Sequence, residues 1–292
     1  MYVVSISGFL SGSAVLMKGL KKFVLALALS ICLNGAASVI PLERIVSLGP
    51  HLTESLFLLG AGDRVVGVTM YCKRPPGARK KEKVGTVMEV DTEKIVGLKP
   101  DLVLATSLTD LRDVKKLKDL GINVITFPNP KNFFQICEQF LKLGRLVGRE
   151  KEAEEIVRKA QAQVDSIAKL VENLPKPKVF VQVGARPLFT ITKDSFINDF
   201  IELAGGTNIA EDAGTGLYSR EKVLESNPDV IIIATMGIVG EEEKRTWQKY
   251  KTLNAVKNDR IYVVDSYALC SPTPVTFAQT LKELAKLLHP KI

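Results

Sequence analysis

Position 51 carries a histidine between a short β-branched run and a helical pattern, where a side chain could bind a metal ion. His51 follows Gly49-Pro50, and the helix is predicted to begin near Thr53. A neutral imidazole can ligate iron or cobalt, and a helix N-terminus favours an anionic group. A lone histidine has no metal-site spacing, so a surface histidine that binds nothing is the alternative. His51 is therefore a candidate ligand contact.

Arginine and tyrosine side chains recur in loops that follow other predicted strands. Such loops vary without disturbing a fold, and they often carry binding residues. A guanidinium can fork onto carboxylate or catecholate oxygens, and a phenol can stack on a ligand or donate a hydrogen bond. The resulting candidate ligand contacts are Tyr71, Arg74, Arg186, Tyr218 and Tyr267. For Arg186 the alternative is an ion pair with a nearby glutamate.

Motifs for catalysis are missing from the sequence. It contains no P-loop, no Gly-x-Ser-x-Gly, no His-Glu-x-x-His and no GxGxxG. The two histidines, His51 and His289, make a multi-histidine metal centre or a histidine acid/base site unexpected. Cys72, Cys137 and Cys270 show no metal spacing, and Cys137 is expected to be a small buried residue. Binding without a catalytic residue, resident metal or cofactor is the simplest interpretation.

The charge pattern argues against nucleic acid as a partner. The formal net charge is +8, but basic residues alternate with acidic ones, as in residues 149–159. That alternation is typical of a solvated helix face, and no helix-turn-helix unit is apparent. The composition, 46% apolar and 25% charged, is that of a globular chain with room for one large or two medium domains.

Short apolar runs alternate with helical patterns along the chain, which predicts an α/β fold with parallel sheets. The predicted strands are 44–48, 64–68, 101–105, 123–127, 178–183, 229–234 and 260–264. A long charged helical pattern over 150–174, ended by Pro175 and Pro177, is interpreted as a rigid connector between two Rossmann-like lobes. The lobes are expected at 38–148 and 175–292, with the connecting helix at 149–174. Trp247, at helical spacing, is assigned to packing.

The first 37 residues have the features of a cleaved signal peptide. A segment with three lysines, residues 17–22, precedes the apolar run 23–33, and Gly35, Ala36 and Ala37 offer a cleavage site before Ser38. The apolar run is too short to span a bilayer, although a buried core helix is the alternative. Residues 1–16 lack a basic flank, which makes Met17 a candidate start. Lipid attachment at Cys32 is disfavoured because a bulky Ile31 precedes it.

Two stretches, 91–104 and 219–232, align without a gap at an offset of 128 residues. Each has a helix N-cap residue, a glutamate in the first helical turn, a Pro-Asp pair and a buried strand. Glu93 and Glu221 occupy equivalent positions, one in each predicted lobe. Taken alone, each could simply interact with its helix dipole, worth about 0.3 to 1 kcal/mol.

Four segments in collinear order resemble the periplasmic binding proteins for vitamin B12, ferric siderophores and haem. They are residues 44–68, the run Gly97-Leu-Lys-Pro-Asp-Leu-Val-Leu-Ala, the run Pro187-Leu-Phe-Thr, and Glu202-Leu-Ala-Gly-Gly-Thr-Asn. The similarity covers residues 42–288. It implies two lobes bridged by one long helix, a shallow ligand cleft between them, and little hinge closing.

The resemblance also implies partners. In this family one surface glutamate per lobe docks onto arginines of the two permease subunits of an ABC importer, and Glu93 and Glu221 match those positions. The implied protein is an exported monomer, periplasmic or extracytoplasmic, that delivers a small-molecule metal chelate. The B12 binders place aromatic residues where this chain has Val87 and Thr106, which weakens the corrinoid interpretation. The basic side chains favour an anionic ferric siderophore, and haem remains open through Tyr71 or His51. A chelatase-like enzyme of related architecture is the competing function.

Overall fold

The structure, a computed structural model, describes residues 42–234 and 240–292. Contacts along the chain group Leu42–Ile292 into one compact unit. The predicted signal segment, its cleavage before Ser38 and the candidate lipid site Cys32 lie outside the described residues. None of the helices in the described ranges combines the length and the apolar character needed to cross a bilayer.

The first half of the unit builds a parallel sheet of five strands in the order β3-β2-β1-β4-β5. The strands are β1 Ile45–Ser47, β2 Val65–Val68, β3 Glu82–Lys83, β4 Leu102–Thr106 and β5 Val124–Phe127. The helices between and after them are α1 Pro50–Leu58, α2 Pro76–Arg79, α3 Thr92–Gly97, α4 Leu111–Asp119 and α5 Phe133–Leu146. Every residue of β1 and β4 is buried, as expected for strands covered on both faces.

The second half builds a five-stranded sheet in the order β10-β9-β6-β7, with β8 beside β6. The strands are β6 Lys178–Ala185, β7 Leu188–Thr190, β8 Thr207–Asn208, β9 Val230–Ile233 and β10 Ile261–Val263. The helices are α7 Phe196–Leu203, α8 Arg220–Ser226, α9 Gly240–Trp247, α10 Asn254–Lys257, α11 Ser266–Cys270 and α12 Pro274–Leu288. The sheet is parallel except that β7 folds back antiparallel on β6, a hairpin that the sequence analysis did not predict. The α/β fold with two sheets is confirmed.

One long helix, α6, spans Glu150–Val171 and links the two halves. Ala153 is buried in the core of the first sheet, whereas Ala160, Val164 and Val171 are buried in the core of the second. The helix thus contributes its two ends to different cores, as a connector should. The predicted lobe boundaries stay a prediction, since the whole of Leu42–Ile292 clusters as one unit.

Helix α5 joins the halves further through aromatic packing. The ring centroid of Phe133 lies 4.5 Å from that of Phe277, which stacks on Phe200 at 3.9 Å. The Phe133 amide donates to the Asp199 carboxylate at 2.7 Å. This apolar contact is buried and continuous with the core of the second sheet, so α5 packs with both halves.

The pseudo-repeat read from the sequence is confirmed in three dimensions. Helices α3 and α8 begin 128 residues apart, and each leads into a strand beside the first strand of its own sheet. Both helices are followed by a residue with positive φ, Lys99 at 47° and Asn227 at 44°. The next aspartates, Asp101 and Asp229, accept hydrogen bonds from backbone amides that precede β1 and open β6. The two segments therefore share a backbone path as well as residue types.

Candidate functional site

The carboxyl ends of the two sheets face each other, and Tyr267 makes the contact. Tyr267 follows β10, and its hydroxyl donates to the carbonyl of Pro50, the first residue of α1, at 3.4 Å. The Arg74 guanidinium, in the loop after β2, lies 3.9 Å from the centroid of the Tyr267 ring. Ligands of open α/β sheets bind outside the carboxyl ends of the strands. The start of α1, the loop after β2 and the segment after β10, three of the predicted ligand-contact regions, thus meet where a ligand cleft is expected.

Arg74 is held between an aromatic ring and a carboxylate. Its Nε lies 3.8 Å from Glu54 Oε1, which is an ion pair but too long for a hydrogen bond. Arg74 Nε and Nη2 and Glu54 Oε2 are buried and have no hydrogen-bond partner among the described residues. Burial raises the pKa of Glu54, and the positive charge of Arg74 only partly opposes this. The guanidinium is therefore held in place, with 30% of the Arg74 side chain exposed.

His51 lies in the first turn of α1, because the helix begins at Pro50 and not near Thr53 as predicted. Proline is favoured at this first helical position since its ring already has helical φ. The ring nitrogen Nε2 is buried without a hydrogen-bond partner, and burial lowers the pKa of His51 to about 4. The imidazole is neutral at neutral pH, the form that can ligate a metal. Across the described ranges, no group of three His, Cys, Asp or Glu side chains converges as a metal site.

Tyr71 is exposed beside a thiol that fixes its loop. Cys72 is buried, and its Sγ accepts a hydrogen bond from Thr53 at 3.1 Å and lies 3.2 Å from the hydroxyl of Thr69. The loop after β2 is thereby tied to α1, and the Tyr71 side chain is left facing solvent. A phenol in that position is free to stack on a ligand or to bind its metal. Cys137 is buried, as predicted, and burial raises its pKa to about 12.

Arg186 and Tyr218 have contacts within the second half. Arg186, between β6 and β7, has 81% of its side chain exposed and lies 3.6 Å from a carboxylate oxygen of Glu242. Tyr218 packs 5.8 Å from the Phe180 ring, and its hydroxyl donates to the Ile209 carbonyl at 3.4 Å. Arg186 can exchange a weak surface pair for a ligand, whereas the Tyr218 ring is half-buried and already hydrogen-bonded.

Several loops at this edge of the molecule expose apolar side chains that were not predicted from the sequence as ligand contacts. On the first sheet they follow β2, β3 and β4, and on the second they lie on β7 and in the loop before α8; they are Met70, Met88, Leu108, Phe189 and Leu217. Backbone hydrogen bonds from Met70 to Gly85 and from Asp110 to Met88 hold the first three loops together. Phe189 and Leu217 are joined by a β-bridge. The signal was present in the sequence as large apolar residues in loops, where polar residues are expected.

Glu93 and Glu221 lie on the surface at equivalent points of α3 and α8. Both side chains are exposed in the first helical turn, two residues after the capping residues Asp91 and Ser219. Hydrogen bonds from its own backbone and from Ser219 lower the pKa of Glu221, so this carboxylate is charged at neutral pH. Two equivalent negative charges are presented, one from each half.

The family model described as periplasmic binding protein matches residues 45–268. The chain belongs to the periplasmic binding protein family. An uncharacterized ABC transporter substrate-binding lipoprotein of Bacillus subtilis, YvrC, is 34% identical over 258 residues, which is 85% of this chain and 80% of the relative.

Solved structures agree with this assignment. A possible iron-binding, periplasmic solute-binding protein of Staphylococcus epidermidis superposes with a TM-score of 0.75 and 31% identity, covering 85% of this chain and 99% of that one. The vitamin B12-binding protein BtuF of Vibrio cholerae gives a TM-score of 0.74 and 27% identity over 85% of this chain and 97% of that one. The expected family and its two-lobed α/β fold are confirmed. These relatives are described as binding proteins and not as enzymes.

Proposed function

We propose that this binding protein receives a metal chelate between the carboxyl edges of its two sheets and delivers it to the permease dimer of an ABC importer. One observation carries the proposal: loops at the carboxyl edges of the two sheets expose methionine, leucine and aromatic side chains, and the loop after β2 also carries the Arg74 guanidinium, which lies over the Tyr267 ring from the second sheet. A small sugar or amino acid would leave much of that apolar surface in water. A chelate of several hundred daltons would cover it.

The chelate we propose has a broad apolar face and anionic groups at its edge. The apolar side chains provide the hydrophobic contact, worth about 25 cal/mol for each Å² removed from water. Arg74 and Arg186 provide donors for carboxylate or catecholate oxygens. Ferric catecholate siderophores and haem satisfy both requirements, and the similarity to a possible iron-binding protein supports this class. The similarity to a vitamin B12-binding protein keeps a corrinoid among the ligands to be tested.

The proposed partner follows from the two exposed glutamates. A permease dimer presents the same surface twice, and equivalent carboxylates on the two halves of the protein can meet it with matching charge. The pseudo-repeat gives Glu93 and Glu221 the same backbone setting, which supports a shared role. The similarity to an ABC transporter substrate-binding lipoprotein supports the same partner.

Ligand titration tests the function. The purified protein would be titrated with haem, a ferric catecholate, a ferric hydroxamate and cobalamin, with a sugar and an amino acid as controls. Trp247 is fully buried, so calorimetry is a safer readout than its fluorescence. At least one chelate is expected to bind with a Kd below about 10 μM, roughly −7 kcal/mol. Binding of a small solute, with no chelate bound, would contradict the proposal.

We also propose that the protein is exported. The N-terminal segment would direct the chain out of the cytoplasm, with cleavage before Ser38. The Bacillus subtilis relative is described as a lipoprotein, so attachment at Cys32 is the alternative outcome. Mass spectrometry of the exported protein separates the two, because a lipidated chain would begin at Cys32 and carry acyl chains.

A further inference from the structure

A buried polar network lies behind the first turn of α8, the helix that carries Glu221. The side chain of Arg220, the first residue of α8, forms an ion pair with Glu243 on α9 and lies over the Trp247 ring, 4.5 Å from its centroid. Glu243 is 4% exposed as a side chain. Gln182, on β6, donates to Glu243 at 2.9 Å and accepts from Trp247 at 2.7 Å.

The network connects the helix terminus to the centre of the sheet. Gln182 is fully buried on β6, so the chain of contacts runs from the sheet through Glu243 to the surface turn. Burial alone would raise the pKa of Glu243, but hydrogen bonds from Gln182 and Arg220 and the positive charge of Arg220 outweigh this and lower it. The carboxylate is therefore charged, and Arg220 neutralises it.

A short helix needs such contacts to hold its first turn. Helix α8 has seven residues, a length at which isolated helices are unstable in water, so tertiary contacts must set its orientation. Tyr218 and Val223 also pack inward on either side of Glu221. Of these three neighbours of Glu221, Arg220 is the charged one, and it forms an ion pair with Glu243 on another helix, α9.

In the first half of the molecule the equivalent helix, α3, is also held at its first residue, but by a different pair of side chains. Thr92, the first residue of α3, is equivalent to Arg220, and its hydroxyl accepts a hydrogen bond from Lys116 Nζ of α4 at 2.8 Å. Helix α4 follows β4 as α9 follows β9. In both halves, therefore, the residue directly before the exposed glutamate is held by a side chain of the helix that follows the next strand. The recurrence of the position, with a different pair of side chains, indicates a geometric role.

We propose that Arg220 and Glu243 are positioning residues which fix the first turn of α8, and with it the carboxylate of Glu221, for contact with the permease. The proposal rests on the docking role assigned to Glu221 above. The pair acts through Glu221, so its loss should change where that carboxylate lies without removing any of the proposed ligand contacts.

The test uses a double variant, because Arg220→Ala alone would leave Glu243 charged and buried, which costs several kcal/mol. R220A/E243Q removes both charges, and the glutamine can keep its hydrogen bond with Gln182. The matched control is R245A/E241Q, which makes the same charge change at two exposed positions of α9. R220K, which keeps the charge but not the planar guanidinium, is the conservative variant for rescue.

Hydrogen exchange followed by mass spectrometry gives the first readout. In R220A/E243Q the amides of residues 222–226 should exchange about tenfold faster than in the unchanged protein, since the turn opens locally and the hydrogen bonds of Lys222 and Val223 to Ser219 are lost. Peptides from β1, β4 and α6 should be unaffected, and R245A/E241Q should match the unchanged protein. Unaltered exchange across α8 would overturn the proposal.

Binding to the importer reconstituted in nanodiscs gives the second readout. R220A/E243Q should weaken the complex about tenfold, within the usual range for coupling between sites, with R220K intermediate and affinity for the chelate unchanged. Adding E221A to R220A/E243Q should cost much less than E221A alone, because the carboxylate is already misplaced. Full additivity of the two changes would contradict positioning. If E221A alone leaves the complex unaffected, the docking role fails, and the exchange data still decide whether the pair fixes the turn.

Discussion

His51 carries a buried ring nitrogen at the start of α1, and its neutrality links stability to pH. The folded-state pKa of about 4 lies below the usual value of 6.5. Between these values the unfolded chain binds a proton that the folded chain does not, so this contribution to stability is present above pH 6.5 and is lost as the pH falls towards 4.

The expected result is a loss of roughly 2 to 3 kcal/mol in the free energy of unfolding, measured relative to the His51→Gln variant, between pH 7 and pH 4. Urea unfolding of both proteins across this range gives the measurement. The difference between them removes the opposite contribution of Glu54, whose raised pKa stabilises the folded state as the pH falls. Parallel pH curves for the two proteins would show that the His51 ring titrates as it does in the unfolded chain.

Variants of Arg186 and Glu242 can show whether Arg186 binds the ligand or only forms a surface ion pair. If Arg186 holds an anionic group of the chelate, R186A should weaken binding by about 1.5 to 3 kcal/mol, the range for hydrogen bonds to charged groups. E242Q frees the same guanidinium and should leave the affinity unchanged or raise it. Calorimetric titration of both variants measures these affinities. If R186A and the unchanged protein bind the chelate equally well, Arg186 does not contact the ligand and only pairs with Glu242.

At the scale of single elements, strands buried on both faces could be predicted because their sequences are continuously apolar. The runs at 102–105 and 230–233 are apolar throughout, and the structure places both in interior strands of a sheet. β7 and β8 have three and two residues, too few to show periodicity, so the hairpin at Arg186 was missed. The contact between Tyr267 and Pro50 joins residues 217 apart in the chain, and no local pattern could indicate it. Glu54 was missed for the same reason, because it lies in α1 whereas its partner Arg74 lies in the loop after β2.

Phe133 and Phe134 begin α5 and differ in burial alone, which makes them a matched pair. Phe133 is 4% exposed in the packing between α5 and α12, whereas Phe134 is 65% exposed. F133A should lower the free energy of unfolding by about 3 to 5 kcal/mol, as large-to-small changes in cores do. F134A should change it by less than about 0.5 kcal/mol. Denaturant unfolding of both variants gives the comparison. Similar losses in the two would mean that the aromatic contact between α5 and the second half contributes little.

At the scale of the whole molecule, the structure combines a shared core with two equivalent surface charges. Apolar side chains of α5 and of the connector α6 are buried in the cores of both halves. A molecule built this way presents Glu93 and Glu221 at a nearly fixed separation. Recognition by a two-fold symmetric permease requires such a separation, because both carboxylates must reach equivalent sites at once.

Replacing both glutamates tests that symmetry. E93A/E221A should abolish uptake of the chelate by cells or proteoliposomes while the chelate affinity and melting temperature stay nearly unchanged, because removing exposed charges alters stability by less than about 0.5 kcal/mol. E93R/E221R should be more severe at the level of importer binding, since like charges across an interface cost several kcal/mol. The charge-matched control E154Q/E172Q changes two exposed glutamates at the connector helix and its C-terminal end. If the two glutamates only served their helix dipoles, the variants would show a lower melting temperature with normal uptake, because each helix would lose a favourable charge at its N-terminus while the importer contact remained intact.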